Sequence, residues 1–252
     1  MKSDCVERWK EAQTHEKDYQ LRKKVKPGKG KRIWAYKYIK LLESYTIINE
    51  NSKILDIGCG FNAMVSPMVK GERIGLDPLT DIYFKEFDLP KNISWLKGLG
   101  EHIPIKNGCL DVVLCMNVLD HMRDPTKAFS EIRRVLRSRG IAMVYVNCYS
   151  PFVKYYRENK EKLTIGDSFH PFSFSAKEIL ETMNSFNLHV AYVDKEPTKW
   201  LNSLLIRLEE KNIAILASTL IRAFLSLLWR LAHTRTALDD DGAFIFVAHK
   251  TD

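Results

Sequence analysis

The stretch ILDIGCGFN at residues 54–62 limits the possible folds more than any other part of the chain. Apolar residues run into Gly58-x-Gly60, the pattern of a buried strand that breaks into a tight turn. Without a Cβ at the glycines, a ligand can approach the turn backbone closely. A strand, such a turn and a following helix form the opening unit of a doubly wound α/β domain.

Downstream, the same alternation repeats, which argues for a parallel sheet. Short apolar runs at 53–57, 73–76, 93–96 and 111–116 read as strands, the last apolar enough to be central. Further strands are expected at 141–146, 189–193 and 243–248. Asp124-Pro125 marks a helix start, with an N-cap side chain and proline at the first helical position. That helix carries Ala128, Ile132, Val135 and Leu136 on one face and should stop near Gly140. Another helix is expected over 176–186. At the N-terminal side, 5–20 reads as a polar helix anchored by Trp9 and Tyr19, and 33–47 as an apolar-periodic one. The fold class is therefore α/β, a Rossmann-like doubly wound seven-stranded sheet with a helical N-terminal extension and a helical insertion before the last strand. The expected division is an extension with a basic linker at 1–50, a core at 51–196, a hydrophobic insertion at 197–240 and a final strand within 241–252.

The insertion contains IAILASTLIRAFLSLLWRLA at 213–232, apolar enough to raise the question of a membrane span. Ser218, Arg222, Ser226 and Arg230 recur every four residues and share one helical stripe. A central arginine costs roughly 2.5–3.5 kcal/mol in a spanning helix. A narrow polar stripe fits a buried cap or a homodimer helix first, then a helix lying on a membrane or holding a lipidic substrate, and a span last.

The net charge of +8 is local. Residues 1–33 hold eleven basic and five acidic side chains, seven of the bases between Arg22 and Arg32. The remainder is nearly neutral, so a nucleic-acid groove over the core is not expected; a solvated connector is the plainer reading, and contact with an anionic partner the alternative. Five cysteines without a C-x-x-C pair argue against zinc or a disulfide framework. The charged first residues lack an apolar signal region, and a reducing, cytoplasmic setting fits best.

Glycine spacing alone does not choose a ligand. Gly58-x-Gly60-x-x-Ala63, with Asp77 about twenty residues on, also satisfies the dinucleotide fingerprint of an NAD-dependent oxidoreductase. Asp56 separates the readings. Two residues before Gly58, its carboxylate would repel a pyrophosphate. It favours instead a ligand bearing cations, as S-adenosylmethionine does with its ammonium and sulfonium. Capping its own loop is a compatible role for the same residue. Asp77, ending the second strand, suits the two hydroxyls of a ribose, although a turn aspartate before Pro78 needs no ligand.

ILDIGCGFN, then GLDP, then GLGEHIPIKNGCLDVVLCMNVLDHMRDPTKAFSEIRRVLRSRG resemble the successive motifs of class I S-adenosylmethionine-dependent methyltransferases of the methyltransferase type 11 group. The likeness covers residues 52–147 and rests on order and spacing. It implies a sheet whose last strand is antiparallel, with S-adenosylmethionine held at the carboxyl ends of the early strands. By position it assigns Asp56, Gly58, Cys59 and Gly60 to the methionine end of the cofactor, and Asp77 with Pro78 to the ribose. Gly100 and Glu101 fall to the adenine loop, and Met116 and Asn117 to the wall beside the methyl group. Departures are Leu99 where an acid is usual, Asn62 for the third glycine, and Ser138-Arg139-Gly140 for Pro-Gly-Gly.

Methyl transfer is an in-line displacement, served mainly by alignment and exclusion of water, with a base where the acceptor must lose a proton. His121 is one candidate base, with ordering of its loop as the alternative. His170, in DSFHPFSFS, is the other, against a simply packed loop; Tyr149, Tyr155 and Tyr156 are candidates for an aromatic pocket. The expected acceptor is a small molecule such as a sugar or another biosynthetic intermediate. A lipid or quinone-like acceptor is the next reading, and a non-catalytic cofactor-binding protein a further one.

Overall fold

Apolar strands alternating with helices build one mixed sheet of seven strands in the order β3-β2-β1-β4-β5-β7-β6. The computed structural model describes residues 2–22, 29–158, 172–196, 238 and 241–251. The strands are β1 Lys53–Ile57, β2 Glu72–Asp77, β3 Ser94–Lys97, β4 Leu110–Met116, β5 Leu136–Cys148, β6 Leu188–Lys195 and β7 Gly242–Lys250. The helices are α1 Lys2–Arg22, α2 Lys29–Glu43, α3 Thr80–Glu86, α4 Pro125–Val135, α5 Pro151–Glu158 and α6 Ala176–Ser185. β1 to β5 pair in parallel, and β7 runs antiparallel to both β5 and β6.

The two-residue period of a strand sorts the core onto two faces. Leu55 and Ile57 of β1 and Val113 and Cys115 of β4 meet Ala128, Phe129 and Ile132 of α4 and Ile179 of α6. Ile54, Val112 and Leu114 face the other way, against Tyr38, Ile39 and Leu42 of α2. Asp56 falls on this second face, a carboxylate among apolar neighbours. Strand order reverses between β1 and β4, which opens a crevice beyond their carboxyl ends, the usual place for a ligand in a doubly wound sheet.

Three local details differ from the sequence reading. Turns, rather than a helix, occupy 61–70 after the glycines. Pro67 lacks an N–H and its ring would clash with the carbonyl four residues back, so a helix there cannot propagate. α4 ends at Val135 instead of near Gly140, and β5 begins at once. Leu136 pairs with Leu110 before a bulge at 137–140, where Arg139 takes a positive φ of 60°. α2 stops at Glu43 rather than at 47. The start of α4 is as read: Asp124 Oδ1 accepts the Lys127 amide at 3.0 Å with Pro125 at the first position. The apolar 213–232 stretch lies outside the described residues. Among the described ones, no helix is long and apolar enough to cross a membrane.

Candidate functional site

β1 and β2 deliver two carboxylates to the crevice floor. Asp56 is 1% exposed, and one of its oxygens accepts the Met64 amide at 2.5 Å. Burial pushes its carboxyl up to about 7, against the opposing effect of the Met64 and Val65 amides; the nearby charge of Asp77 adds to the rise. Asp77, 6% exposed, is pushed up to about 6 by burial. Its Oδ2 accepts the Gly60 amide and its Oδ1 the Leu79 amide, each at 2.9 Å, and the Tyr83 hydroxyl bonds it too. Neither carboxylate has a cationic partner among the described residues.

The glycine turn is laced to β2. Gly58 N donates to Leu76 O at 2.7 Å and Cys59 N to the same oxygen at 3.3 Å, while Gly60 N is taken by Asp77. Amides that a pyrophosphate would need are thus engaged within the chain, and the helix whose N-terminus would hold it is missing. What the crevice presents is negative charge. The Cys59 thiol is held well above its usual range by burial and by Asp56 and Asp77, which removes it as a nucleophile.

β4 ends in a strained turn. Asn117 has φ 59°, donates its amide to Tyr145 O at 2.7 Å and accepts from Asn147 Nδ2 at 3.1 Å. Asparagine tolerates this left-handed conformation better than most residues do. A 3-10 turn at Leu119–His121 follows, and His121 Nε2 lies 4.0 Å from Asp120 Oδ1.

These parts line a cavity of about 1290 Å³ beyond the sheet. Asp56, Gly58, Cys59, Gly60, Asp77, Pro78, Met116, Asn117 and His121 all face it. Gly100 and Glu101 do not. Gly100 is packed under Met122 and Ile57, where a Cβ would stand 2.7 Å from Met122 Cε and 3.0 Å from Ile57 Cγ2. Glu101 Oε1 accepts the amides of Arg123 and Asp124 at 2.6 and 3.2 Å, fixing the approach to α4. His170 lies outside the described residues. Tyr149 and Tyr155 do not line the cavity: Arg157 stacks 4.4 Å from the Tyr149 ring, and Tyr155 is exposed.

The aromatic wall comes from elsewhere. Trp34 and Tyr36 of α2, Tyr145 of β5 and Tyr19 of α1 line the cavity. Trp34 meets Tyr145 edge-on at 5.2 Å. Glu196 accepts the hydroxyls of Tyr38 at 2.5 Å and Tyr145 at 2.9 Å and pairs with Lys37 at 3.1 Å. Burial works to raise the Glu196 carboxyl, but these three donors hold it below the usual range. Burial and Glu196 together raise both phenols, so they remain donors. Spacing gives no hint of this cluster, because its members come from α2, from β5 and from the residue just after β6, and each reads as a core or surface residue by itself. Helix α1 covers the crevice with Ala12, His15, Glu16 and Gln20, and Arg123 lies 5.3 Å from the Trp9 ring.

Residues 55–144 match the family model described as a methyltransferase domain. The chain is 25% identical over 226 residues to an uncharacterized methyltransferase of Schizosaccharomyces pombe, covering 78% of this chain and 73% of that one. It is 38% identical over 100 residues to an uncharacterized protein of Methanocaldococcus jannaschii, spanning 38% of this chain and 43% of the relative. Among solved structures, geranyl diphosphate C-methyltransferase from Streptomyces coelicolor superposes with a TM-score of 0.62 at 14% identity, over 87% of this chain and 80% of that one.

Proposed function

Since this chain carries a class I S-adenosylmethionine-dependent methyltransferase domain, we propose that it moves a methyl group from S-adenosylmethionine to a small-molecule acceptor. The observation that carries this reading is the pair of buried carboxylates, Asp56 and Asp77, facing a large cavity with no cationic partner among the described residues. When bound, the cofactor supplies an electrophilic methyl on a sulfonium that leaves as a neutral thioether.

The chain's own contribution is charge, shape and dryness. Asp56 meets the ammonium at the methionine end, and Gly58, Cys59 and Gly60 let that end lie close to the backbone. Asp77 and Pro78 receive the ribose, with Leu79 and Tyr83 beside them. Gly100 and Glu101 act from behind the wall, through the loop that Glu101 ties to α4. Met116 and the strained Asn117 hold the methyl side, and His121 at the same mouth is placed to accept an acceptor proton. Helix α1 and the aromatic wall exclude water, so that alignment supplies much of the rate.

Size and enclosure argue for a small acceptor. Ligand pockets commonly measure about 300–1,000 Å³. A cavity of about 1290 Å³ has room for the cofactor and a second small molecule, and α1 roofs it against a macromolecule. Trp34, Tyr36 and Tyr145 give the cavity an aromatic lining, which fits a sugar or a comparable hydroxylated intermediate. Supplying methyl-labelled S-adenosylmethionine together with a cell extract is expected to place label in the low-molecular-weight fraction, with an equal yield of S-adenosylhomocysteine. Label confined to protein or RNA would overturn the small-acceptor reading; cofactor binding without label transfer would favour a non-catalytic role.

A further inference from the structure

The roof of the cavity adds a third acid to the two on its floor. Glu16, on α1, lines the same cavity as Asp56 and Asp77, and it comes from outside the 55–144 segment that matches the family. Gln20, one turn along, donates its side-chain amide to Glu16 Oε1 and fixes the carboxylate in place. Glu16 shares the cavity lining with Asp77 and Tyr83, and its negative charge helps to raise the carboxyl of the one and the phenol of the other. Facing these acids are Arg22, whose Nε is bonded to the Asp18 carbonyl at 3.2 Å, and the rings of His15 and His121. Among the described lining residues, three carboxylates face one permanent cation, which leaves an excess of negative charge under the roof.

We propose that Glu16 selects the sulfonium cofactor over its thioether product. This inference rests on the cofactor reading above and extends it to a residue of the N-terminal helix. S-adenosylmethionine carries an ammonium, a sulfonium and a carboxylate, and S-adenosylhomocysteine lacks only the sulfonium charge. An acid facing a partly desolvated cleft attracts the first by Coulomb interaction and gains much less from the second. When the acceptor atom bonds the methyl carbon and the carbon–sulfur pair goes to sulfur, that charge disappears from the cleft. Repulsion among Glu16, Asp56 and Asp77 is then offset by the ammonium alone, which weakens product binding at the moment release is needed.

The test is calorimetric titration of S-adenosylmethionine and S-adenosylhomocysteine into three full-length chains. These are the wild type, Glu16→Gln and Asp18→Asn; the last removes an exposed charge from the same helix outside the cavity. Glu16→Gln is expected to weaken S-adenosylmethionine by about three- to tenfold and S-adenosylhomocysteine by less than about twofold, an effect that shrinks with added salt. Asp18→Asn should leave both unchanged. Equal effects on the two ligands in Glu16→Gln, or the same shift in Asp18→Asn, would overturn the role of Glu16 while leaving cofactor binding standing. Failure of the wild type to bind either ligand would remove both readings.

Discussion

A Gly58→Ala chain is expected to melt roughly 5–20 °C below the wild type and to lose measurable cofactor binding. Two independent costs fall on this one methyl group. Gly58 has φ 62°, where a Cβ costs about 1–2 kcal/mol. The added carbon would also stand 2.1 Å from Val118 Cγ2 and 2.7 Å from Val118 Cβ, a distance at which the turn after β4 must move. Overpacking of this kind costs about 1–3 kcal/mol, and each kcal/mol lowers the melting temperature by about 2–4 °C in a domain of this size. Because Val118 follows Asn117, relief of the clash shifts the wall assigned to the methyl group. Gly60→Ala is the matched control. Its φ is 57°, but nothing lies within 4 Å of the new Cβ, so only the backbone cost of about 1–2 kcal/mol applies. Thermal melts of the two variants that coincide would contradict the close approach of the β1 and β4 turns.

Asp56→Asn should separate stability from binding. The carboxylate is buried with no cationic partner among the described residues, so its ionisation opposes folding in the empty protein. Its carboxyl is raised to about 7, above the ordinary 3.8. Asp56 therefore contributes stability that is full below about pH 4 and is lost as pH rises through about 7. Asparagine keeps an acceptor for the Met64 amide and removes the charge, so at pH 8 the empty variant should melt no lower than the wild type. Binding moves the opposite way. The variant is expected to hold S-adenosylmethionine at least tenfold more weakly at pH 8, a loss of about 1.4 kcal/mol or more. Wild-type affinity should fall as pH drops through about 7, with Asp77 adding a second decline near 6, and Asp56→Asn should show only the second. Titrations across pH 5–8 check this, and an unchanged affinity in the variant would sink the role given to Asp56.

All seven strands were legible because each is a short apolar run closed by glycine, proline or charge, and their periodicity needs no tertiary information. The antiparallel last strand followed from the family resemblance, and the β5–β7 and β6–β7 pairings bear it out. Local chemistry around the turns was less legible. The helix expected after Gly60 ignored Pro67, and the end of α4 was placed by Gly140 although β5 captures the chain at Leu136. Asp56, Asp77, Met116 and Asn117 converge because they end adjacent parallel strands, which is a consequence of topology that spacing conveys well. Glu101 came to the adenine loop through the family resemblance alone, and no local pattern shows that its carboxylate accepts the amides of Arg123 and Asp124, twenty-two and twenty-three residues on. Trp34, Tyr145 and Glu196 meet only in three dimensions, as does Glu16 over the cleft, and no local pattern marks such encounters.

This crevice suits a cationic nucleoside cofactor rather than a pyrophosphate. Parallel calorimetric titrations of the wild-type chain with S-adenosylhomocysteine and with NAD test that preference most directly. The geometry predicts one site for S-adenosylhomocysteine with a micromolar dissociation constant and no heat above dilution for NAD, since the amides at 58–60 are engaged and Asp56 would repel the phosphates. Saturable binding of NAD with none of S-adenosylhomocysteine would contradict it.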